Sequence, residues 1–526
     1  MKSKNKIKKN KSKKDILKSK LSSLIKERWE EYKNTNNATN YIIHVGPTNS
    51  GKSYNALKAV KSAYSGACYV PLRMLAYEMY MNINESGVDC SLITGEEKII
   101  KQSAKHIAAT IEMFDPNKFY DTILIDEFQN IADENRGNAW LSALLQANAN
   151  EVHIITAPHA LNLLKRLLEG SNKTYTVNEY KRLVPLNVSE ETYDINKPKS
   201  KTAYVTFSRK NVLELKNFFN NKGIDVSVIY GGLPALTRFS QIKQFIDGKT
   251  DIIITTDALG QGINIPCDNV CFMSTSKFDG KDERKLNISE LQQLAGRAGR
   301  YLLSNQGEVS AVSKSDLSFI KDCMSKQPKE LTKAKIEPSL KELEVIQEDS
   351  LYKKLLIWKD NPSIPQKLKN IVEVVSIDEQ IELSKLITYT DYCKLGLEKC
   401  YELVQAPTTK DTVEYWERCF KNIVLEKEIP LPGKLSMIDN QQELFLGEKF
   451  VKQCDLYLWL YNKKMFNKLA LKGKDVIEHK YYLSNMIDKA LSNNLSLKRV
   501  CRICSNVLDV YHAYNICEDC FNEKYN

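Results

Sequence analysis

Short runs rich in β-branched and aromatic residues recur through the first three fifths of the chain, separated by longer stretches with apolar residues at helical spacing. The first set is YIIHV at 41–45, ACYV at 67–70, TILIDE at 122–127 and VHIITA at 152–157. The second is AYVTF at 203–207, VSVIYG at 226–231, DIIITTD at 251–257, VCFMST at 270–275 and EVSAV at 308–312. Strand-type runs alternating with helical ones predict parallel sheets with helices on both faces. Between the two sets lies VPLNVSEETYDINKPKSKT at 184–202, a polar, proline-bearing stretch that reads as the linker region or as a rim crossing between the two units. The chain therefore divides into two α/β units, 36–180 and 181–335. From 336 to 496 leucine, lysine and glutamate dominate, and apolar residues at helical spacing predict a helical domain. Breaks fall near PSIPQ at 362–366 and PLPGK at 430–434, and Trp358, Trp416 and Trp459 are its expected core.

Composition adds limits. At 526 residues the chain is too long for a single core. Its 42% hydrophobic and 27% charged content is that of a soluble globular protein, with no apolar run near the ~20 residues that cross a bilayer. The net charge of +11 is concentrated at one end. Residues 1–20 hold ten lysines and one aspartate, leaving +2 for everything else. Residues 1–35 are accordingly expected to be a disordered basic tail. It either holds RNA through counterion release, acts as an address, or only solubilises. No apolar segment follows that would make it a secretory signal, and an organelle presequence more typically carries arginine. Nine of the thirteen cysteines are scattered between Cys68 and Cys454, as in a reduced intracellular protein, so a cytoplasmic location is expected, with mitochondria as the alternative.

The candidate chemistry sits at the ends of the strand runs. Residues 46–53, GPTNSGKS, follow the first strand and open a helix, the order a phosphate cradle needs. Gly46, Pro47, Thr48, Asn49, Ser50, Gly51, Lys52 and Ser53 are thus candidate nucleotide contacts. Lys52 would reach the β and γ phosphates and the Ser53 hydroxyl would meet magnesium. Asp126 and Glu127 close the apolar strand that begins at Thr122. Adjacent carboxylates at a sheet edge suit magnesium binding by Asp126 and general-base work by Glu127. The second unit has no glycine loop and instead carries QLAGRAGR at 293–300. A guanidinium inserted across a cleft stabilises phosphoryl transfer, so Arg300 is the expected arginine finger, Arg297 a second phosphate contact and Gln293 a water-orienting group.

These segments, with PLRMLAYEM at 71–79, GVDCSLITGEEK at 87–98, ATIEMF at 109–114 and ILIDEFQNIADENRGNAW at 123–140, resemble the mitochondrial degradosome RNA helicases, the SUV-three type of superfamily two DExH helicases. That family usually writes DEIQ where residues 126–129 read DEFQ, an apolar-for-apolar change. The resemblance implies two tandem RecA-like domains with ATP between them. It implies that Pro71, Leu72, Arg73, Thr94, Gly95 and Thr110 lie along a nucleic-acid track, and that Thr156 and Ala157 form a coupling motif. In the second unit, DALGQGINIP at 257–266 resembles the nucleotide-sensing motif: Asp257 and Gly260 would face nucleotide, and Thr255 and Thr256 nucleic-acid phosphate. Phe207, Ser208, Tyr230 and Gly231 match other second-domain motifs, with Phe207 and Tyr230 expected to serve packing. The resemblance further implies 3′ to 5′ movement on RNA, possible action on DNA, and work beside a 3′ exoribonuclease. A DNA translocase would share every ATPase residue.

The last thirty residues differ from the rest. Cys501, Cys504, Cys517 and Cys520 form two C-x2-C pairs twelve residues apart, and four thiolates suit tetrahedral zinc. Residues 497–526 are therefore expected to be a small zinc module, with His512 in its loop. The expected whole is α/β: two RecA-like parallel-sheet domains, a helical domain and this module.

Overall fold

The computed structural model describes residues 13–34, 39–260, 265, 267–278, 282–299, 306–360, 363–492, 501, 503, 504, 506, 517, 520 and 521. Strand β1 (Asn40–Val45) runs into the 46–53 loop and helix α2 (Lys52–Ser62); helix α1 (Lys13–Asn34) precedes it. Then come β2 (Gly66–Val70), α3 (Arg73–Glu85), β3 (Cys90–Ile93), β4 (Lys98–Ile99), β5 (His106–Thr110), β6 (Tyr120–Ile125), α4 (Gly137–Gln146), β7 (Ala149–Thr156), α5 (Leu161–Gly170) and β8 (Tyr175–Glu179). The strands form one sheet in the order β4-β3-β5-β2-β6-β7-β1-β8. All pairings are parallel except β3 with β4. Separate apolar cores cover its two faces, one with Ile43, Ile123 and Ile154, the other with Cys68, Leu124 and Ile155. That double burial is why these strands read as continuous apolar runs.

A second sheet follows, built from β9 (Leu186–Val188), β10 (Thr202–Val205), α6 (Arg209–Asn220), β11 (Val226–Ile229), α7 (Ala235–Ile246), β12 (Ile252–Thr255), β13 (Asn269–Phe272), the hairpin β14 (Ser276–Phe278) and β15 (Glu283–Lys285), α8 (Ile288–Ala295), β16 (Gly307–Ala311) and α9 (Lys314–Ser325). Its order is β11-β12-β10-β13-β16-β9, all parallel, with the hairpin apart. The stretch expected to be a linker or a rim crossing contributes a strand at the rim of the second sheet: Leu186, Asn187 and Val188 extend the sheet edge beside Gly307, Glu308 and Val309. Pro185 stands just before this three-residue edge strand, where its missing N–H costs no ladder bond.

The chain then returns to the first sheet's side. Strand β17 (Ala334–Ile336) pairs with β18 (Val372–Val374) and packs with Leu368 on the first core. Helices α10 (Leu340–Glu344), α11 (Leu351–Asp360), α12 (Asp378–Ser384), α13 (Tyr389–Val404), α14 (Val413–Val424), α15 (Gln441–Asn462) and α16 (Gly473–Ser492) make the helical domain. Trp358 and Trp416 are buried in it. Trp459 is buried as well, but at the boundary with the first sheet, where Gly95 lies against its ring.

The N-terminal expectation fails over residues 13–34. Instead of a disordered tail, α1 is a helix whose Leu21, Ile25, Trp29 and Tyr32 are buried. Their spacing puts them along one face. Leu21 joins the core that holds Leu343 and Trp358, while Ile25, Trp29 and Tyr32 join the first sheet's core. Arg28 Nη1 donates to the Glu337 carbonyl at 3.0 Å, and Arg28 Nη2 pairs with the Glu342 carboxylate at 3.2 Å. Lys14, Lys18, Lys20 and Lys26 are exposed, so net charge misjudged a segment that a few apolar residues organise. No described helix is long and apolar enough to cross a membrane.

Candidate active site

Strand β1 ends at Val45 and the chain crosses the sheet edge as the 46–53 loop. Lys52, in the first turn of α2, donates Nζ to the Pro47 carbonyl at 2.9 Å. Burial lowers its pKa, opposed by the nearby charges of Glu127 and Asp126. The Ser50 hydroxyl is buried and has no hydrogen-bond partner among the described residues, leaving the loop one polar group short of satisfaction. Ser53 is half-buried beside Lys52.

Asp126 stands at the end of β6 on the same edge, 5% exposed, where its backbone N–H donates to the Tyr69 carbonyl at 2.9 Å. Burial raises its carboxyl pKa, with the Glu127 charge adding to the rise. A buried carboxylate beside a second one is poised to accept a cation. Lys52, the residue before Ser53, feels both carboxylates, and carboxylate and hydroxyl oxygens are the donors a hard divalent ion takes. Glu127 adopts a left-handed backbone at φ 49°, ψ 49°, uncommon outside glycine, and begins the short 3-10 helix Phe128–Ala132. Gln129, which sequence reasoning named only as part of the motif, explains how it is held. Its Nε2 donates to the Glu127 carboxylate, while its Oε1 accepts from the Ala157 N–H at 3.1 Å. The candidate base is thereby tied to the end of β7, where Thr156 and Ala157 were expected to couple.

The second sheet meets the loop directly. Asn49 Nδ2 donates to the carbonyls of Gly296 and Gly299, both at 3.0 Å. A Cβ at Gly296 would stand 2.9 Å from Thr48 Cβ, so glycine permits this approach. Arg297 Nη2 donates to the Gly260 carbonyl at 3.1 Å, and its charge is felt at both Asp126 and Lys52. Gln293 is half-buried in α8 just before this turn. Arg300 lies outside the described residues. Asp257 opens a short 3-10 helix and pairs with Lys277 at 3.3 Å; Gly260 closes that helix against Leu294. Arg182, which no sequence signal singled out, donates to carbonyls on both sides of the cleft.

Farther along the same strand-end edge, beyond β2, β5 and β3, lie the expected nucleic-acid residues of the first sheet, and α15 and α16 contact this region. Arg73, at the start of α3, pairs with Asp455 of α15 at 2.8 Å and with Glu96 at 3.1 Å. Lys480 of α16 takes the other Asp455 oxygen at 2.8 Å. Asn462 Nδ2 donates to the Gly95 carbonyl at 3.3 Å, and the Tyr481 hydroxyl to Glu97 at 2.7 Å. In the second sheet, Arg209 and the Tyr230 hydroxyl hold Glu448 of α15 at 3.1 and 2.7 Å. Tyr230 is buried as expected, but as a hydrogen-bond donor too.

Several expected phosphate contacts are otherwise engaged. Pro71 is buried, its carbonyl accepting from Arg136 Nη2 at 2.6 Å, and Leu72 is half-buried before α3. Thr94 and Thr110 are buried, and the Thr94 hydroxyl accepts from the Glu97 N–H at 3.0 Å. Ser208 caps α6 by accepting from the Asn211 N–H at 3.0 Å. Thr255 is fully buried and spends its hydroxyl on the Thr256 carbonyl, while Thr256 caps the 3-10 helix. The phosphate role expected of Thr255 is not offered by this arrangement, because a strand-end threonine can satisfy its own turn.

Cys501, Cys504, Cys517 and Cys520 bring their Sγ atoms within 4.8 Å of one another, Cys504 and Cys517 at 3.6 Å. Four sulfurs each ~2.3 Å from one zinc ion would stand roughly 3.8 Å apart, so the quartet has the dimensions of a tetrahedral thiolate site. Backbone N–H groups of Ile503 and Cys517 donate to Cys501 Sγ at 3.4 and 3.3 Å, the support that metal-bound thiolates commonly receive.

Residues 28–180 match the DEXQ-box helicase domain of Suv3, and residues 185–302 match the helicase conserved C-terminal domain. The chain is 32% identical over 436 residues to the mitochondrial DExH-box ATP-dependent RNA helicase DExH16 of Arabidopsis thaliana, covering 80% of this chain and 75% of that protein. It is 32% identical over 437 residues to the mitochondrial ATP-dependent RNA helicase SUV3 of Oryza sativa subsp. japonica, covering 80% and 74%. Against the human mitochondrial ATP-dependent RNA helicase SUPV3L1 it is 35% identical over 317 residues, 58% of this chain and 40% of that one.

Proposed function

The chain belongs to the Suv3 family of ATP-dependent RNA helicases, and on that premise we propose that ATP hydrolysis in the Asp126 cleft drives 3′ to 5′ movement along RNA and opens duplexes during RNA turnover. The observation that carries the reading is the contact of the 46–53 loop with the 296–299 turn, in which Asn49 reaches Gly296 and Gly299. Two sheets that share one phosphate site convert its occupancy into their separation, which is what a motor requires.

In this reading the backbone N–H groups of the 46–53 loop cradle the phosphates and Lys52 neutralises the β and γ oxygens. Ser53 and Asp126 hold magnesium, whose charge, when bound, offsets that of the phosphates. Glu127, oriented by Gln129, takes the proton of the attacking water. Arg297 and Arg300 meet the charge that develops on the transferred group, with Gln293 orienting the water. RNA runs along the edge with Arg73, Thr94, Gly95, Thr110, Ser208 and Thr256, beneath α15 and α16. Such backbone contacts fix register without reading bases.

Zinc in the four-cysteine site staples the C-terminal module. Metal analysis of freshly purified protein should return one zinc per chain, lost in Cys501→Ser; no zinc would remove the site. The relatives' names favour the mitochondrial alternative over the cytoplasmic expectation, and imaging of the tagged chain tests it. A 3′ exoribonuclease partner is the reading's natural consumer of unwound RNA, and copurification tests it. The deciding experiment is ATPase stimulation by RNA and DNA of equal length. Greater stimulation by RNA supports the reading, greater stimulation by DNA makes the chain a DNA translocase, and none by either sinks the motor.

A further inference from the structure

Between β8 and β9 the chain passes from one sheet to the other, and Arg182 lies on that crossing. Its Nε donates to the Val184 carbonyl at 2.7 Å, which fixes the plane of the guanidinium against its own segment. Nη1 then donates to the Thr48 carbonyl at 3.2 Å and the Gly296 carbonyl at 2.8 Å, and Nη2 to the Ala298 carbonyl. The acceptors belong to three separate parts: the crossing, the phosphate loop and the 296–299 turn. All four are neutral carbonyls.

That choice of partners is informative. An arginine placed for stability ordinarily finds a carboxylate, which neutralises its charge. Here a planar fork spans two backbones, one from each sheet, whose approach depends on Gly296 lying against Thr48. Asn49 reinforces the same two strands of backbone from the loop side, sharing the Gly296 carbonyl with Arg182. Opening the cleft breaks the bonds to Gly296 and Ala298 or the bond to Thr48, but leaves the one to Val184. The guanidinium therefore remains on the crossing as the sheets part.

We propose that Arg182 is a positioning residue that latches the closed state, holding the turn that carries Arg297 in register with the phosphate loop. It touches backbone and no reacting atom, so it acts through Arg297 and the loop. The proposal rests on the reading that ATP occupies the 46–53 loop. Because the latch forms between the sheets, it strengthens binding of whatever favours closure and leaves binding to the loop alone nearly unchanged.

The test uses the full chain with saturating RNA. Arg182→Ala should keep ADP affinity within about twofold, while kcat for ATP and affinity for ADP with aluminium fluoride both fall by roughly tenfold or more, the scale of a lost charge-assisted hydrogen bond. Arg182→Lys should fall between the two, since an ammonium keeps the charge but not the planar fork. Unchanged kcat and analogue affinity in Arg182→Ala would overturn the latch. So would an ADP affinity that falls as far as kcat, which marks collapse of the loop itself. Should Arg182→Ala fail to fold, Arg182→Lys is judged by the same split. Lys52→Ala is the separate control: if it binds ADP like the unaltered chain, the nucleotide site is misassigned whatever Arg182 does.

Discussion

Replacing Asp455 by asparagine removes one charge from a balanced group at the nucleic-acid edge, and its two effects should have opposite signs. Asp455 accepts Arg73 on one oxygen and Lys480 on the other, both at 2.8 Å. Its side chain is 13% exposed and that of Lys480 11%, so neither is easily rehydrated. Breaking a buried pair from one side costs ~3–5 kcal/mol. Arg73 is 37% exposed and retains Glu96 at 3.1 Å, which trims the expected loss to about 2–4 kcal/mol. Urea unfolding of the full chain should show the shift in its transition midpoint. At the same time the Arg73 guanidinium loses the carboxylate that competes with a phosphate. If Arg73 contacts RNA, affinity should rise about fivefold, and the slope of log affinity against log salt should steepen by roughly 0.7, the value for one added single-strand phosphate contact. Fluorescence anisotropy at several salt concentrations measures both. A variant that loses stability while RNA affinity falls, or keeps the original salt slope, would refute the placement of Arg73 on the track.

Other outcomes follow from the nucleotide cleft and the strands behind it. Glu127→Gln should bind ATP with ordinary affinity yet hydrolyse it at least about a hundredfold more slowly, as single-turnover assays would show; unchanged hydrolysis removes Glu127 as the base. Gly46→Ala places a Cβ 2.6 Å from the Tyr180 carbonyl and 2.9 Å from its Cβ, so the backbone must shift. It should lose nucleotide affinity and about 1–3 kcal/mol of stability, measured by ADP titration and urea unfolding. Behind that loop His44 bonds Tyr180 through Nδ1 and His153 through Nε2, at 2.8 and 2.9 Å, and Glu151 stands 3.5 Å beyond His153. Burial, with the facing His153, pulls His44 down to about 4. A histidine harder to protonate in the fold contributes stability that is intact above about pH 6.5 and lost as pH falls toward 4, by up to about 3 kcal/mol. The urea midpoint should drop between pH 7 and pH 5, and a His44→Asn variant should flatten that dependence.

What was legible in the sequence was chemistry written in consecutive residues. The 46–53 loop, the Asp126 and Glu127 pair and the four cysteines each announce themselves by spacing; in the structure the loop follows β1, Asp126 follows β6, and the four sulfurs lie within 4.8 Å of one another. The strands were legible for a related reason, since burial on both faces leaves unbroken apolar runs. The shortest members were not: β4 and β9, of two and three residues, are too brief to stand out. Arg182, Asp455 and Glu448 act on residues far along the chain, and nothing near them hints at those partners. Helix α1 is different, because its signal was present. Leu21, Ile25, Trp29 and Tyr32 recur at one-face spacing, but the lysines that precede them carried more weight in a reading based on net charge.

Helix α1 also carries a consequence for the order of synthesis. Arg28 finds its acceptor at Glu337, 309 residues later, and the core that receives Leu21 includes Trp358. Ile25, Trp29 and Tyr32 can seat on the first sheet's core as soon as it forms, but both nucleotide-cleft sheets are complete before Leu21 and Arg28 meet their partners. At elongation rates of ~5–20 residues per second, that end of the helix waits on the order of 15–60 seconds. For that interval the newborn chain presents a lysine-rich segment seated at one end only, and whatever escorts the protein meets it then.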